Sequence, residues 1–292
     1  HFMLSKRKIL KLVEDGKVRG WDDPRLATIN GLRRRGYPPE AINTFCREIG
    51  VTRNENTIMI SRLEHYVRHR LDETAKRAFA VLRPLRLTLV NVPADAVYTL
   101  EVPDFPSNRA AGSHAVHLTR TVYIERDDFR EADHADYYGL APGKTAGLMY
   151  GGYVKVVGYE KAPDTGEVVE VRAEYDADRS TATKVKGNLH WVSASTPGGE
   201  PATAEVRLYK PLFVTEEPGE TGDWEAEIDP HSEEVLKGCY VDASLTGELA
   251  VGANFQFTRL GYFVVDCDSD APHRRYVFSQ TVSLKEDVVA KK

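Results

Sequence analysis

Three short stretches of this chain carry residue types that could do chemistry. The first is Ser5-Lys6-Arg7-Lys8, set directly ahead of an apolar-periodic segment. Free N–H groups and the dipole at a helix start favour an anion, and a lysine there adds a mobile charge for a phosphate in transfer. The same residues also describe a solvated helix end with a basic first turn. The second stretch is Arg33-Arg34-Arg35, at the end of a later helical segment. Consecutive helical residues point in different directions, so the three cannot serve one core. They either offset the helix C-terminal dipole or meet phosphate. The third is FQFTRLGYF, residues 255–263. As a strand it puts Phe255, Phe257 and Arg259 on one face and Gln256 and Thr258 on the other. A bend near Gly261 could bring Gln256 and Arg259 to one site, where two planar multi-donor groups suit the base edges of an unstacked RNA loop. An aromatic core strand with a surface arginine is the plainer alternative.

Other constellations are poorer. His65 and His69 have the four-residue spacing of two zinc ligands, but no glutamate follows His65 as a general base and no third ligand is evident. His114 and His117 are no better, so no metal site is expected. Cys46, Cys239 and Cys267 form no CxxC pair, which points to neither a disulfide framework nor a zinc site and fits reduced thiols in the cytoplasm. Asp22/Asp23 and Asp127/Asp128 are better suited to helix caps and turns than to acid–base work. No GxSxG elbow, P-loop or GxGxxG fingerprint is present. No apolar run approaches the ~20 residues that span a bilayer.

The elements that must position these residues change character along the chain. Residues 1–86 hold 19 Lys and Arg against 10 Asp and Glu; the remainder holds 20 against 34. This balance suggests a polyanion partner for the first part, the alternative being an arginine-rich helical surface with no ligand, and contacts in the second should be local and selective. Apolar spacing predicts a helix at 6–14, capped by Ser5 and stopped by Gly16. A second is predicted from Pro24, capped by Asp22 or Asp23, through Leu26, Ile29 and Leu32 to Gly36. A third runs from Pro39 to Gly50, and a longer helical pair covers about 57–83. After Pro84 the pattern is period two, with strands such as RLTLVNV, YVKVVGYE, AEVRLY and YVFSQTVSL separated by turns such as PDTGE and TPGGE. HSEEVLKG reads as a short helix. The fold class is α+β: an N-terminal helical subdomain, then two antiparallel β-barrels, since about 200 residues exceed one small barrel.

Taken together these stretches resemble one family. MLSKRK at 3–8 resembles the KMSKS signature of class I aminoacyl-tRNA synthetases. VRGWDDPRLATINGLRRRGYPPEAINTFCREIGVT at 18–52 is similar to the segment after that signature in glutaminyl-tRNA synthetases. The similarity continues in order through AVLRPLRLTL, VYIERDDFRE, KVKGNLHWVSA, EVRLYKPLF, FQFTRLGYFVVD and YVFSQTVSLKED. The glutamate enzymes share WDDPR, but GLRRRGYPPEAINTFC and FQFTRLGYF sit closer to the glutamine enzymes. DCDSD and SLKED resemble the eukaryotic form.

The resemblance implies a division of labour. The full enzyme is a ligase that activates glutamine with ATP and Mg and esterifies tRNA(Gln). No HIGH-type motif or parallel βαβ unit is found, so this chain is expected to be its C-terminal half, inactive alone and binding no ATP. Residues 1–19 would be a remnant of the catalytic domain with the signature loop. Residues 20–85 would be a helical subdomain against the tRNA stem. Residues 86–292 would form two barrels of a ribosomal-protein-like kind, divided near 190, with strands crossing between them. Lys6 matches the catalytic lysine of the signature, and Met3, Leu4, Ser5 and Arg7 complete the ATP-binding loop, with Met3 and Arg7 departing from the family pattern. Gln256 and Arg259 match anticodon contacts, as does His114, where bacterial relatives carry Arg. Arg33, Arg34 and Arg35 would meet the tRNA backbone. Other synthetases in a complex are a further expected partner. The alternatives are a non-catalytic β-barrel RNA-binding or scaffold module, and a fragment of the glutamate enzyme.

Overall fold

The computed structural model describes residues 3–50, 58–180, 185–195, 200–220 and 222–285. Most of the predicted TPGGE turn, the start of the fourth predicted helix and the end of SLKED lie outside the described residues. Among the described residues, four α-helices fall before residue 75: α1 (Lys6–Glu14), α2 (Ile29–Arg34), α3 (Pro39–Ile49) and α4 (Ile60–Thr74). α1 has the expected bounds. The Ser5 carbonyl accepts from Ile9 N–H at 2.9 Å, but the Ser5 side chain makes no capping bond, contrary to expectation. The helix ends in a Schellman pair, Gly16 N–H to the Val13 carbonyl and Lys17 N–H to the Leu12 carbonyl.

The second helix is shorter than its apolar spacing predicts. Neither Asp22 nor Asp23 caps it. Thr28 does, its hydroxyl accepting from Gly31 N–H at 2.9 Å. Asp23 is buried instead in a loop. Its carboxylate accepts from the backbone N–H groups of Arg19 and Arg25, both at 2.9 Å, and from the Arg25 guanidinium at 2.7 Å. These local bonds compete with helix formation and win over 21–27. α3 runs as predicted from Pro39 to the residue before Gly50. α4 stops at Thr74, and the predicted helical extension to 83 is two short strands, Lys76–Ala78 and Ala80–Val81. Residues 78–82 are all buried, and burial on every side suits a core strand better than a helix face. The HSEEVLKG helix is likewise absent, replaced by the strand Glu233–Val241.

The chain divides into two compact units. The first holds His1–Lys76, Glu205–Leu236 and Glu248–Lys292; the second holds Arg77–Ala204 and Lys237–Gly247. The helices therefore share a unit with the end of the chain, and the division falls near 76 and 204. In the first unit, Leu63, Val67 and Leu71 of α4 repeat every fourth residue and pack with Leu32, Tyr37, Ala41, Tyr262 and Val282. Gly36 links this core to α2. Its φ is +83°, and a β-carbon there would fall 2.6 Å from Val264 Cβ, so only glycine fits. The strands Asn254–Phe257, Gly261–Val265, Tyr276–Ser283, Ala202–Tyr209 and Glu233–Val241 lie in that order in one barrel-like sheet. The last two carry residues of both units.

The second unit has its own barrel-like sheet, ordered Asn188–Leu189, Thr145–Leu148, Tyr153–Lys161, Val168–Asp176, Pro84–Leu89, Thr121–Glu125 and Val192–Ser193. It is not purely antiparallel. Pro84–Leu89 pairs with Val168–Asp176 in parallel, as Asn188–Leu189 does with Thr145–Leu148. A separate hairpin, Val97–Pro103 with Ser113–Thr119, carries His114. The core is closed by Phe79, Leu87, Ile124, Val171 and Trp191, all at most 1% exposed. The molecule is thus α+β with two barrel-like sheets.

Candidate nucleic-acid interface

The predicted strand through FQFTRLGYF is a hairpin. Asn254–Phe257 pairs antiparallel with Gly261–Val265, with Gln256 opposite Tyr262 and Phe255 opposite Phe263. The strand stops at Phe257, so Arg259 does not share a face with the phenylalanines as a continuous strand would require. Arg259 sits at the turn with φ +69° and is exposed; Gln256 is half-buried. A left-handed conformation costs a non-glycine residue roughly 1–2 kcal/mol. Beneath the turn, Phe257 stacks on Phe263 with centroids 4.2 Å apart and meets Phe278 edge-on at 5.3 Å. The Tyr262 hydroxyl donates to Asp72 of α4 at 3.2 Å. The aromatics form core, as the plainer alternative expects, with Arg259 exposed at the turn beside them.

The three consecutive arginines separate. Arg34 pairs with Asp22 and Asp266 at 3.0 Å and Asp268 at 3.1 Å. Arg207, 2% exposed, reaches Asp266, Asp268 and Glu205 at 3.4, 2.6 and 2.7 Å. Asp266 also accepts from the Ser279 hydroxyl at 2.9 Å. Burial alone would raise its carboxyl pKa, but the Arg34 guanidinium and these donors hold it below the usual range. Arg35 donates to the Thr281 carbonyl at 3.2 Å and lies over the rings of Tyr37 and Tyr209. Arg34 and Arg35 are thus both held in internal contacts. Arg33 is exposed. Asp266, Cys267 and Asp268 have donor atoms close enough to suggest a metal, but both carboxylates are taken by arginines.

His114 belongs to the second unit and is turned inward. Its Nδ1 lies 2.8 Å from Asp104, and its buried Nε2 is 3.8 Å from Asp242, too far for a hydrogen bond. Burial lowers its pKa, but Asp242 and Asp104 outweigh this and raise it overall. The expected anticodon contact of His114 would have to be made by a side chain already bonded to Asp104. In the signature stretch, Met3 is buried with Ile9 and Leu12, whereas Leu4, Ser5, Lys6 and Arg7 are exposed. Lys6, the arginine trio, Gln256 and Arg259 all belong to the first unit. The Arg34–Asp266–Arg207 network was not foreseen; its one trace in the sequence is the acidic run DCDSD.

Comparison with known proteins accounts for nearly all of the chain. A family model for "tRNA synthetases class I (E and Q), anti-codon binding domain" matches residues 75–176, and a second of the same description matches 188–266. The catalytic-domain model of that family matches 1–73. The chain belongs to the class I glutamate- and glutamine-type tRNA synthetase family. Its similarity is to the C-terminal region of glutaminyl-tRNA synthetases. It is 44% identical over 288 residues to the glutamine–tRNA ligase of Lupinus luteus, covering 97% of this chain and 36% of that protein. It is 43% identical to the enzyme of Bos taurus, covering 98% and 36%, and 41% identical to that of Aliivibrio fischeri, covering 97% and 51%. The chain thus spans between about a third and half of the relatives it matches. The catalytic-domain match reaches past residues 1–19, so the family model groups α2, α3 and most of α4 with the signature helix.

Proposed function

We propose that this chain is the tRNA-binding part of a cytoplasmic ligase that joins glutamine to tRNA(Gln) with ATP and Mg. The observation that carries this reading is the hairpin at 254–265, with Gln256 and the outward Arg259 on a stacked aromatic base. Rigid placement of two multi-donor side chains is what reading unstacked anticodon bases needs. In this reading, Arg33 meets phosphate, the helices of 20–85 approach the tRNA stem, and residues 86–292 form two barrels of the ribosomal-protein-like kind. Lys6, with Ser5 and Arg7, would stabilise charge on the ATP phosphates once the catalytic domain of the family is present. The test is binding of tRNA(Gln) to this chain against the same tRNA with an altered anticodon. Preference for the native anticodon supports the reading, and Arg259→Ala should reduce that preference by roughly 1–3 kcal/mol, the value of one good bidentate base contact. Equal binding of both tRNAs would exclude anticodon reading, and preference for tRNA(Glu) would favour the glutamate enzyme.

A further inference from the structure

We infer that residues 212–220 and 222–229 position Lys6, with Trp224 and Glu225 as positioning residues for the ATP-dependent step. This rests on the proposed role of Lys6. α1 has nine residues, and isolated helices shorter than about 12–15 residues are marginal in water, so its placement must come from packing. Two of its faces are packed. Ile9 and Leu12 are buried with Leu212 and Phe213, and Val13 lies against the same cluster beside Trp224 and Ile228. Lys8 and Lys11, three residues apart, share a cationic face. Their ammonium groups lie 5.7 and 5.9 Å from the centroid of the Trp224 ring, within the range of a cation–π contact, and Lys11 pairs with Glu225. A β-carbon at Gly219 would fall 2.6 Å from Lys8 Nζ, so the loop closes tightly over that lysine.

The segment is itself braced. Asp229 N–H donates to the Leu212 carbonyl at 2.9 Å and Val214 N–H to the Glu227 carbonyl at 3.0 Å. The buried Glu227 carboxylate accepts from Thr215 at 2.7 Å and from Gly219 N–H at 3.0 Å. Lys6 and Arg7 are left exposed at the start of the same helix. Trp224 thus fixes the direction of Lys6 from some 200 residues downstream while contacting neither it nor a substrate.

The test uses Trp224→Ala and Trp224→Phe. In this chain, amide hydrogen exchange over residues 6–14 should speed up in Trp224→Ala and return toward the parent rate in Trp224→Phe, with exchange over 254–265 unchanged. In the full-length enzyme, ATP–pyrophosphate exchange should lose roughly tenfold or more in kcat, since small misplacements of a catalytic group are costly, with KM for glutamine unchanged. If Trp224→Ala fails to fold, the double variant Lys8→Gln/Lys11→Gln removes the same contacts from the exposed side. Unchanged exchange over 6–14, or faster exchange with unaltered kinetics in an active enzyme, overturns the inference alone. A wild-type enzyme without ATP–pyrophosphate exchange overturns the functional reading and takes the inference with it.

Discussion

Arg259 combines a conformational cost with an outward side chain, and the two can be separated by substitution. Its φ of +69° is one that glycine adopts freely and other residues do not. Arg259→Ala and Arg259→Gly both delete the guanidinium, so both should abolish the same share of anticodon preference. They should differ in stability, the glycine variant unfolding at higher urea by the equivalent of about 1 kcal/mol. Equal urea midpoints would show that the turn is not strained. His114 makes a different kind of prediction. Because its folded pKa is raised, its stabilisation is complete below the ordinary value of 6.5 and is lost as pH rises through the folded value. The carboxylates with lowered pKa, Asp23, Glu125 and Asp266, act only in acid, so the two windows separate. The parent chain should lose stability on going from pH 6 upward, and His114→Gln should flatten that decline in urea titrations. A decline of equal size in both proteins would remove the role assigned to the Asp104–His114 pair.

The elements show what the sequence could and could not disclose. α1 and α3 were legible because apolar spacing, proline and glycine all agree on their limits. α2 was misread because Pro24 and two aspartates imitate a helix start. What decides the matter is Arg25, which binds Asp23 and closes a loop, and no periodicity reports a pairing of that kind. The stretch 75–83 was misread because Ala75, Phe79 and Leu82 fit a helical period, while Ala78, Ala80 and Val81 beside them are equally buried. The strand and the turn of 254–265 were legible from alternating aromatics, yet the position of the reversal was not. The least legible feature is also the most consequential: Arg34 of α2 is joined to Asp266 and Asp268, more than 230 residues away. Asp266→Asn removes the buried carboxylate that both guanidinium groups share, leaving Arg34 to Asp22 and Asp268 and Arg207 to Asp268 and Glu205, so the cost should fall below the about 3–5 kcal/mol of an uncompensated buried charge. The urea midpoint should fall accordingly, and Arg34→Met with Arg207→Met in the Asp266→Asn background should recover much of the loss. Failure of that rescue would mean the aspartate acts through Ser279 rather than through charge.

At the scale of the whole molecule, charge is distributed against indiscriminate binding. The chain carries a net −5, with the basic excess confined to its first 86 residues. Two of the three arginines at 33–35 are held in internal contacts, so within that cluster Arg33 is the exposed cation available to phosphate. Binding that depends on few phosphate contacts has a shallow salt dependence, because each contact adds about 0.7–0.9 to the logarithmic slope. Arg33→Ala should therefore weaken binding of native and anticodon-altered tRNA by the same factor and reduce the slope by about 1. Arg259→Ala should do the opposite, leaving the slope nearly unchanged and compressing the difference between the two tRNAs. Measured on one chain across a salt series, the pair of variants separates the residues that hold the tRNA from those that read it. If Arg33→Ala alters discrimination while Arg259→Ala alters only the slope, the assignment of reading to the 254–265 hairpin is reversed.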